Sequence, residues 1–143
     1  MNPLALARAM PTSIEAQLGA HAMARLQGAW FEPSRVPAAQ QDALRLRFQR
    51  VAAQAYPADD APVWRLHFHR APALGPNALA LPGGDIVITD ELVALLADQP
   101  DVLMGVLAHE LAHVQHHDGL DMVVRASLVS ALAGVVLGDA SGL

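Results

Sequence analysis

The sequence predicts an α+β domain, mostly helical, with a small antiparallel or mixed sheet. Three observations predict it. Leu44, Phe48 and Val51, and later Val102, Val106, His109 and His113, recur at helical spacing. Val63 to His69 alternates with period two, Trp64, Leu66 and Phe68 on one face and Arg65, His67 and His69 on the other. Ala78 to Leu81 and Ile86 to Thr89 are two short β-prone runs joined by Pro82-Gly83-Gly84-Asp85, a hairpin pattern.

The elements follow in order. Thr12 and Glu15 have capping-box spacing ahead of a helix over Ile14 to Trp30, with Ile14, Leu18 and Ala22 on one face. Phe31 to Pro37 holds two prolines and reads as a connection, and Pro37 suits the start of the next helix. That helix ends before Tyr56-Pro57, and its Arg45, Arg47 and Arg50 read as a solvated face. Ala58 to Pro62 is a linker and Ala71 to Pro76 a turn-rich loop. Thr89 or Asp90 caps a short helix running to Leu96. Asp101, after Pro100, caps a helix that runs to about His117, with Gly119 as its stop. An apolar helix over Met122 to Gly138 comes last. The expected organisation is one domain: N-terminal helices over 1–57, sheet and motif helix over 61–121, and an apolar helix over 122–143 with the domain continuing beyond the chain end.

Composition narrows the classes. The chain has 143 residues, 53% of them hydrophobic and 16% charged, which excludes a disordered polar chain. Net charge is −5 and no basic run occurs, so no nucleic-acid partner is expected. There is no cysteine, so neither a disulfide framework nor a thiolate metal site exists. Seven histidines leave imidazole and carboxylate as the available metal ligands. Met1 to Met10 does not read as a signal peptide. The run Met122 to Gly138 is interrupted by Arg125, Ser127 and Ser130 and is shorter than the roughly 20 residues of a spanning helix.

His109-Glu110-Leu111-Ala112-His113 carries the chemistry, an H-E-x-x-H segment on a predicted helix. Residues i and i+4 differ by about 40° around the axis and about 6 Å along it, so both imidazoles reach one ion. Glu110 is turned about 100° from His109 and suits the role of general base rather than ligand. Zinc bound there would lower the pKa of a water to about 7. A catalytic site needs a third protein ligand, and the spacing supplies none. His116 would lie about 10 Å further along a straight helix than His109, and His117 further still. Asp118, Asp121 and Asp139 have no evident reason to fold back. His67 and His69 read as an exposed or partly packed pair, His21 as isolated, and Trp30 and Trp64 as packing residues.

The run Asn77-Ala78-Leu79-Ala80-Leu81-Pro82-Gly83-Gly84-Asp85, followed some thirty residues later by Leu107-Ala108-His109-Glu110-Leu111-Ala112-His113-Val114, closely resembles peptidase family M48, the family of HtpX and the CAAX prenyl endopeptidases. The resemblance covers roughly Ala61 to Asp121 and is strongest to the HtpX-type branch. It implies a gluzincin-like fold, helices on a small sheet with the motif helix beneath. It implies one zinc ion on His109 and His113, with Glu110 activating water. It implies that Asn77, Ala78, Leu79 and Ala80 form an edge strand that binds a protein or peptide substrate. The relatives also imply a bacterial envelope setting, membrane-associated or periplasmic, with a cytoplasmic one as the alternative. The family's third ligand is a glutamate in a later E-x-x-x-D segment, and no glutamate follows Glu110 here. The expectation is a fragment of a zinc-dependent metalloendopeptidase whose third ligand lies outside it. The alternatives are a catalytically incomplete binding or chaperone module, and a subunit that borrows its last ligand from a partner chain.

Overall fold

The alternation around Leu66 places that residue at the centre of a four-stranded mixed sheet. The computed structural model describes residues 12–116, in the order α1 (Thr12–Ala29), β1 (Glu32–Pro33), α2 (Ala38–Ala55), β2 (Arg65–Arg70), β3 (Ala78–Ala80), β4 (Asp85–Thr89), α3 (Asp90–Leu95) and α4 (Pro100–Gln115). The spatial order is β1-β2-β4-β3. β2 and β4 run parallel, with Leu66 opposite Ile86 and Phe68 opposite Ile88. β3 returns antiparallel along β4, Ala78 opposite Ile88 and Ala80 opposite Ile86, which gives the expected hairpin. β3 is thus a free edge among the described residues.

Each face of the sheet has its own core. Leu66, Phe68, Ala78, Ala80, Ile86 and Ile88 face α2 and α4, where they meet Phe48, Leu103, Met104, Leu107 and Leu111. Leu79, Leu81 and Val87 face the other way, with Phe31, Ala71 and Leu74, against Ala22, Met23 and Leu26 of α1. Phe48, Ile86, Ile88 and Leu107 are wholly buried, each stabilising the fold by about 1.5–3 kcal/mol. The alanines at 78 and 80 are small, so α4 lies close under β3.

The Pro82 to Gly84 turn is held by main-chain approach. Gly84 has φ +103°, and a Cβ there would lie 2.4 Å from the Val63 carbonyl oxygen. Gly83, at φ +90°, lies against the backbone of Ala16 in α1. Only glycine accepts both the sign of φ and the contact. On the helix side, a Cβ on Gly19 would meet the Pro82 carbonyl oxygen, so α1 docks through its smallest residue.

Several expectations are corrected. Phe31 to Pro37 is not only a connection: Glu32 and Pro33 pair with Arg70 and His69 as β1. A two-residue strand carries no detectable alternation, and Pro33 argues against one. Pro100 itself opens α4, and Gln99 stands at its N-cap without a side-chain bond, so Asp101 lies within the first turn and does not cap. Asp101 instead receives Arg47 at 2.7 Å. Arg45 is not simply solvated. Its guanidinium donates to the Leu66 carbonyl at 3.1 and 3.2 Å and lies 5.1 Å from the centre of the Phe68 ring, tying α2 to β2. α4 ends at Gln115 with His116 as its C-cap, and the expected stop at Gly119 lies outside the described residues. So does the apolar run Met122 to Gly138. Among the described residues no helix is long and apolar enough to cross a membrane.

Candidate active site

α4 sorts its residues by face. Leu103, Met104, Leu107 and Leu111 form the buried stripe at helical spacing. His109 is exposed and His113 half-buried, one turn apart on the open side. Their Nε2 atoms lie 3.2 Å apart and their rings meet edge to face at 4.7 Å. Two nitrogens at 2.0–2.1 Å from one tetrahedral zinc are separated by roughly 3.3 Å. The pair therefore already has the spacing of two ligands on one ion. Among the described residues no group of three His, Asp or Glu side chains could hold a metal. The two histidines could supply two of the donors such an ion needs. His116 is exposed at the helix end, and His117, Asp118, Asp121 and Asp139 lie outside the described residues.

Glu110 projects from the same turn toward β3. Burial raises its carboxyl to about 7, against the opposing pull of His113 and a backbone hydrogen bond from Ala80. A carboxyl poised there exchanges protons readily near neutrality.

Register sets which main-chain groups the edge strand presents. Thr89 N–H donates to the Asn77 carbonyl at 3.0 Å and Leu81 N–H to the Asp85 carbonyl at 2.7 Å. Asn77, Leu79 and Leu81 are therefore the positions bonded to β4, and the main-chain groups of Ala78 and Ala80 point away from the sheet. Of the four expected substrate-strand residues, Ala78 and Ala80 present main chain to the outside. Leu79 turns its main chain to β4 and its side chain to the second core. Asn77 is 8% exposed, and its Oδ1 accepts from Ala78 N–H at 2.8 Å.

Thr89 was legible in the sequence only as a helix cap, and it does more. Its Oγ1, fully buried, accepts from Asn77 N–H at 2.9 Å and Leu92 N–H at 3.2 Å, and lies 3.0 Å from the Gly75 carbonyl, to which it can donate. One hydroxyl joins the start of β3 to the start of α3. A threonine closing an apolar strand is the only sequence signal for it.

His67 and His69 lie on the face of β2 opposite Leu66 and Phe68. His67 Nε2 is 2.7 Å from Asp85 Oδ1, which also receives Arg65 Nε at 2.8 Å. Arg65 and His67 hold the Asp85 carboxyl below its ordinary value against burial, which raises it. His69 stacks on Phe31 at 4.9 Å.

The sequence profile of peptidase family M48 matches residues 38–142, from α2 onward. The chain belongs to this family. Among its M48-type relatives, the chain is 34% identical over 79 residues to the mitochondrial metalloendopeptidase OMA1 of Saccharomyces cerevisiae, which is 55% of the chain and 22% of that protein. It is 40% identical over 70 residues to an HtpX protease homologue of Syntrophobacter fumaroxidans, 46% of the chain and 23% of the homologue. It is 41% identical over 64 residues to protease HtpX of Legionella pneumophila, 42% of the chain and 22% of that protein. The match thus spans less than a quarter of the length of these relatives. Family membership makes this a peptidase-family chain. The profile leaves α1 and β1 outside the matched residues.

Proposed function

We propose that this chain carries the active-site helix and substrate edge of a zinc-dependent metalloendopeptidase with a gluzincin-like fold. The observation that carries the reading is the 3.2 Å separation of the His109 and His113 Nε2 atoms, with the half-buried Glu110 on the same turn of α4. His109 and His113 would hold the ion as neutral imidazoles. Bound zinc would acidify a water and polarise the scissile carbonyl. Glu110 accepts the proton of the attacking water at its carboxylate and returns it to the departing amine, so one carboxyl serves as base and then acid. Extended peptide lies along the outward main chain of Ala78 and Ala80, as an added strand. This role extends to Asn77 as the residue that starts the strand. The membrane-associated setting that the family resemblance implies is part of the same proposal.

The test is removal and return of the metal. A chelator should abolish cleavage of a denatured protein by the full-length protein, and zinc should restore it. His113→Ala should weaken zinc binding by more than about 100-fold, beyond the loss expected from altering a residue behind a ligand. Cleavage that survives the chelator overturns the reading. The two-histidine donor set among the described residues favours one rival, a binding module that keeps the fold without turnover. Zinc-dependent cleavage excludes that rival.

A further inference from the structure

β3 has three residues and one strand neighbour, so pairing with β4 holds it along one side only. Its two faces are held by helices. Ala78 and Ala80 belong to the core shared with α4, and Leu79 and Leu81 to the core covered by α1. Among the described residues of α1 only Glu15 and Gly19 are buried, while Leu18, Ala22, Met23 and Leu26 are half-buried. A helix packed so thinly belongs to the part of a fold that opens locally while the rest stays folded. Its contact with the β3–β4 turn is nevertheless main chain on main chain. A Cβ on Gly19 would stand 1.8 Å from the Pro82 carbonyl oxygen, and a Cβ on Gly83 would stand 3.0 Å from Ala16 Cα. No side chain cushions that contact, so the turn follows the helix. Arg65 fastens the β4 end of the same turn, through Asp85 at 2.8 Å and the Gly83 carbonyl at 2.9 Å. At the β3 end, Pro82 meets α1.

We propose that α1 is a strap that positions β3 from behind the sheet. Seated on Pro82, it holds the β3–β4 hairpin against α4. When it lifts, the hairpin loosens while β2, α4 and the two motif histidines keep their places. Gly19 is the positioning residue, because it alone lets the helix reach the turn. The strap lies outside the residues that the family profile matches, so it adds to the family's shared machinery a control that acts on the site through β3. The inference rests on the proposed peptidase reading for its effect on cleavage, while the coupling of α1 to the hairpin stands on the fold alone.

Three variants of the full-length protein test this. Gly19→Ala drives a methyl group into the Pro82 carbonyl. Met23→Glu lifts α1 without touching the turn, by setting a carboxylate against the cluster of Phe31, Leu79 and Val87. Gly28→Ala is the matched control in the same helix, because a Cβ there meets nothing within 4 Å. Amide hydrogen exchange reads the hairpin. Leu81 N–H, bonded to the Asp85 carbonyl at 2.7 Å, should exchange about tenfold faster in Gly19→Ala and in Met23→Glu, and no faster than the parent in Gly28→Ala. Phe68 in β2 and Leu107 in α4 should keep their rates in all three. Glu110-dependent cleavage of a peptide should show KM raised about tenfold in the first two variants, with kcat within about twofold and zinc content as in the parent. A merely unfolded fraction would instead lower kcat at unchanged KM, and that result overturns the action on the site. Faster digestion within Thr12–Ala29 reports that α1 has lifted. Leu81 exchanging at the parent rate once α1 has lifted overturns the strap. Equal acceleration of Leu81, Phe68 and Leu107 overturns it too, as a general loss of stability. If no peptide is cleaved in a Glu110-dependent way, the peptidase reading falls, and the exchange of Leu81 still decides whether α1 holds the hairpin.

Discussion

The hydroxyl of Thr89 accepts the Asn77 N–H at 2.9 Å and, in the same buried position, caps α3 through Leu92 N–H at 3.2 Å. The residue just before β3 and the helix after β4 therefore share one oxygen. Thr89→Val keeps the shape and removes that oxygen, leaving two buried N–H groups without their acceptor. The expected cost is about 2–4 kcal/mol, read as a lower midpoint in urea at unchanged slope. A change under about 0.5 kcal/mol would contradict the role.

Glu110 gives stability a pH dependence of unusual sign. Its carboxyl lies at about 7 in the folded chain, because of burial, against an ordinary 4.5. Between those values the folded chain binds a proton that the unfolded chain does not. The stability linked to that proton is complete below about 4.5 and lost as pH rises through about 7. Metal-free Glu110→Gln is then expected to be more stable than the parent at pH 8 by on the order of 1–3 kcal/mol, with the gap closing toward pH 5. Thermal unfolding in chelator across that range measures it, and a gap that widens toward low pH contradicts it.

Gly19 tests how α1 is seated. A Cβ there would stand 1.8 Å from the Pro82 carbonyl oxygen, a distance no rotamer relieves. Gly19→Ala should lift α1 from the 82–84 turn despite alanine's better helix propensity. Limited proteolysis should then cut within Thr12–Ala29 faster than in the parent. An unchanged digestion rate would mean that α1 does not dock through Gly19.

Much of this was legible in the sequence where a period or a special residue marks it. Trp64, Leu66 and Phe68 alternate because one face of β2 packs on α2 and α4, and Trp64 meets the Phe48 ring edge-on at 4.8 Å. Gly83 and Gly84 mark the hairpin because the turn needs positive φ. His109 and His113 sit one helical turn apart, and the fold brings their nitrogens together. The rest depends on long-range partners. β1 exists only because Arg70 and His69 lie opposite it. The parallel pairing of β2 with β4 joins strands separated by β3, which no local pattern encodes. Arg45 reads as one of three helical arginines until the Leu66 carbonyl is in view. The outward turn of the Ala78 and Ala80 main chain follows from register, and a shift of one residue would reverse it.

The most direct test of the central claim is Glu110→Gln in the full-length protein, with zinc content and cleavage of a denatured protein measured on the same samples. Zinc should be bound as in the parent and cleavage lower by about 10²–10⁴-fold, the usual contribution of a general base. Cleavage at the parent rate with zinc retained would contradict it.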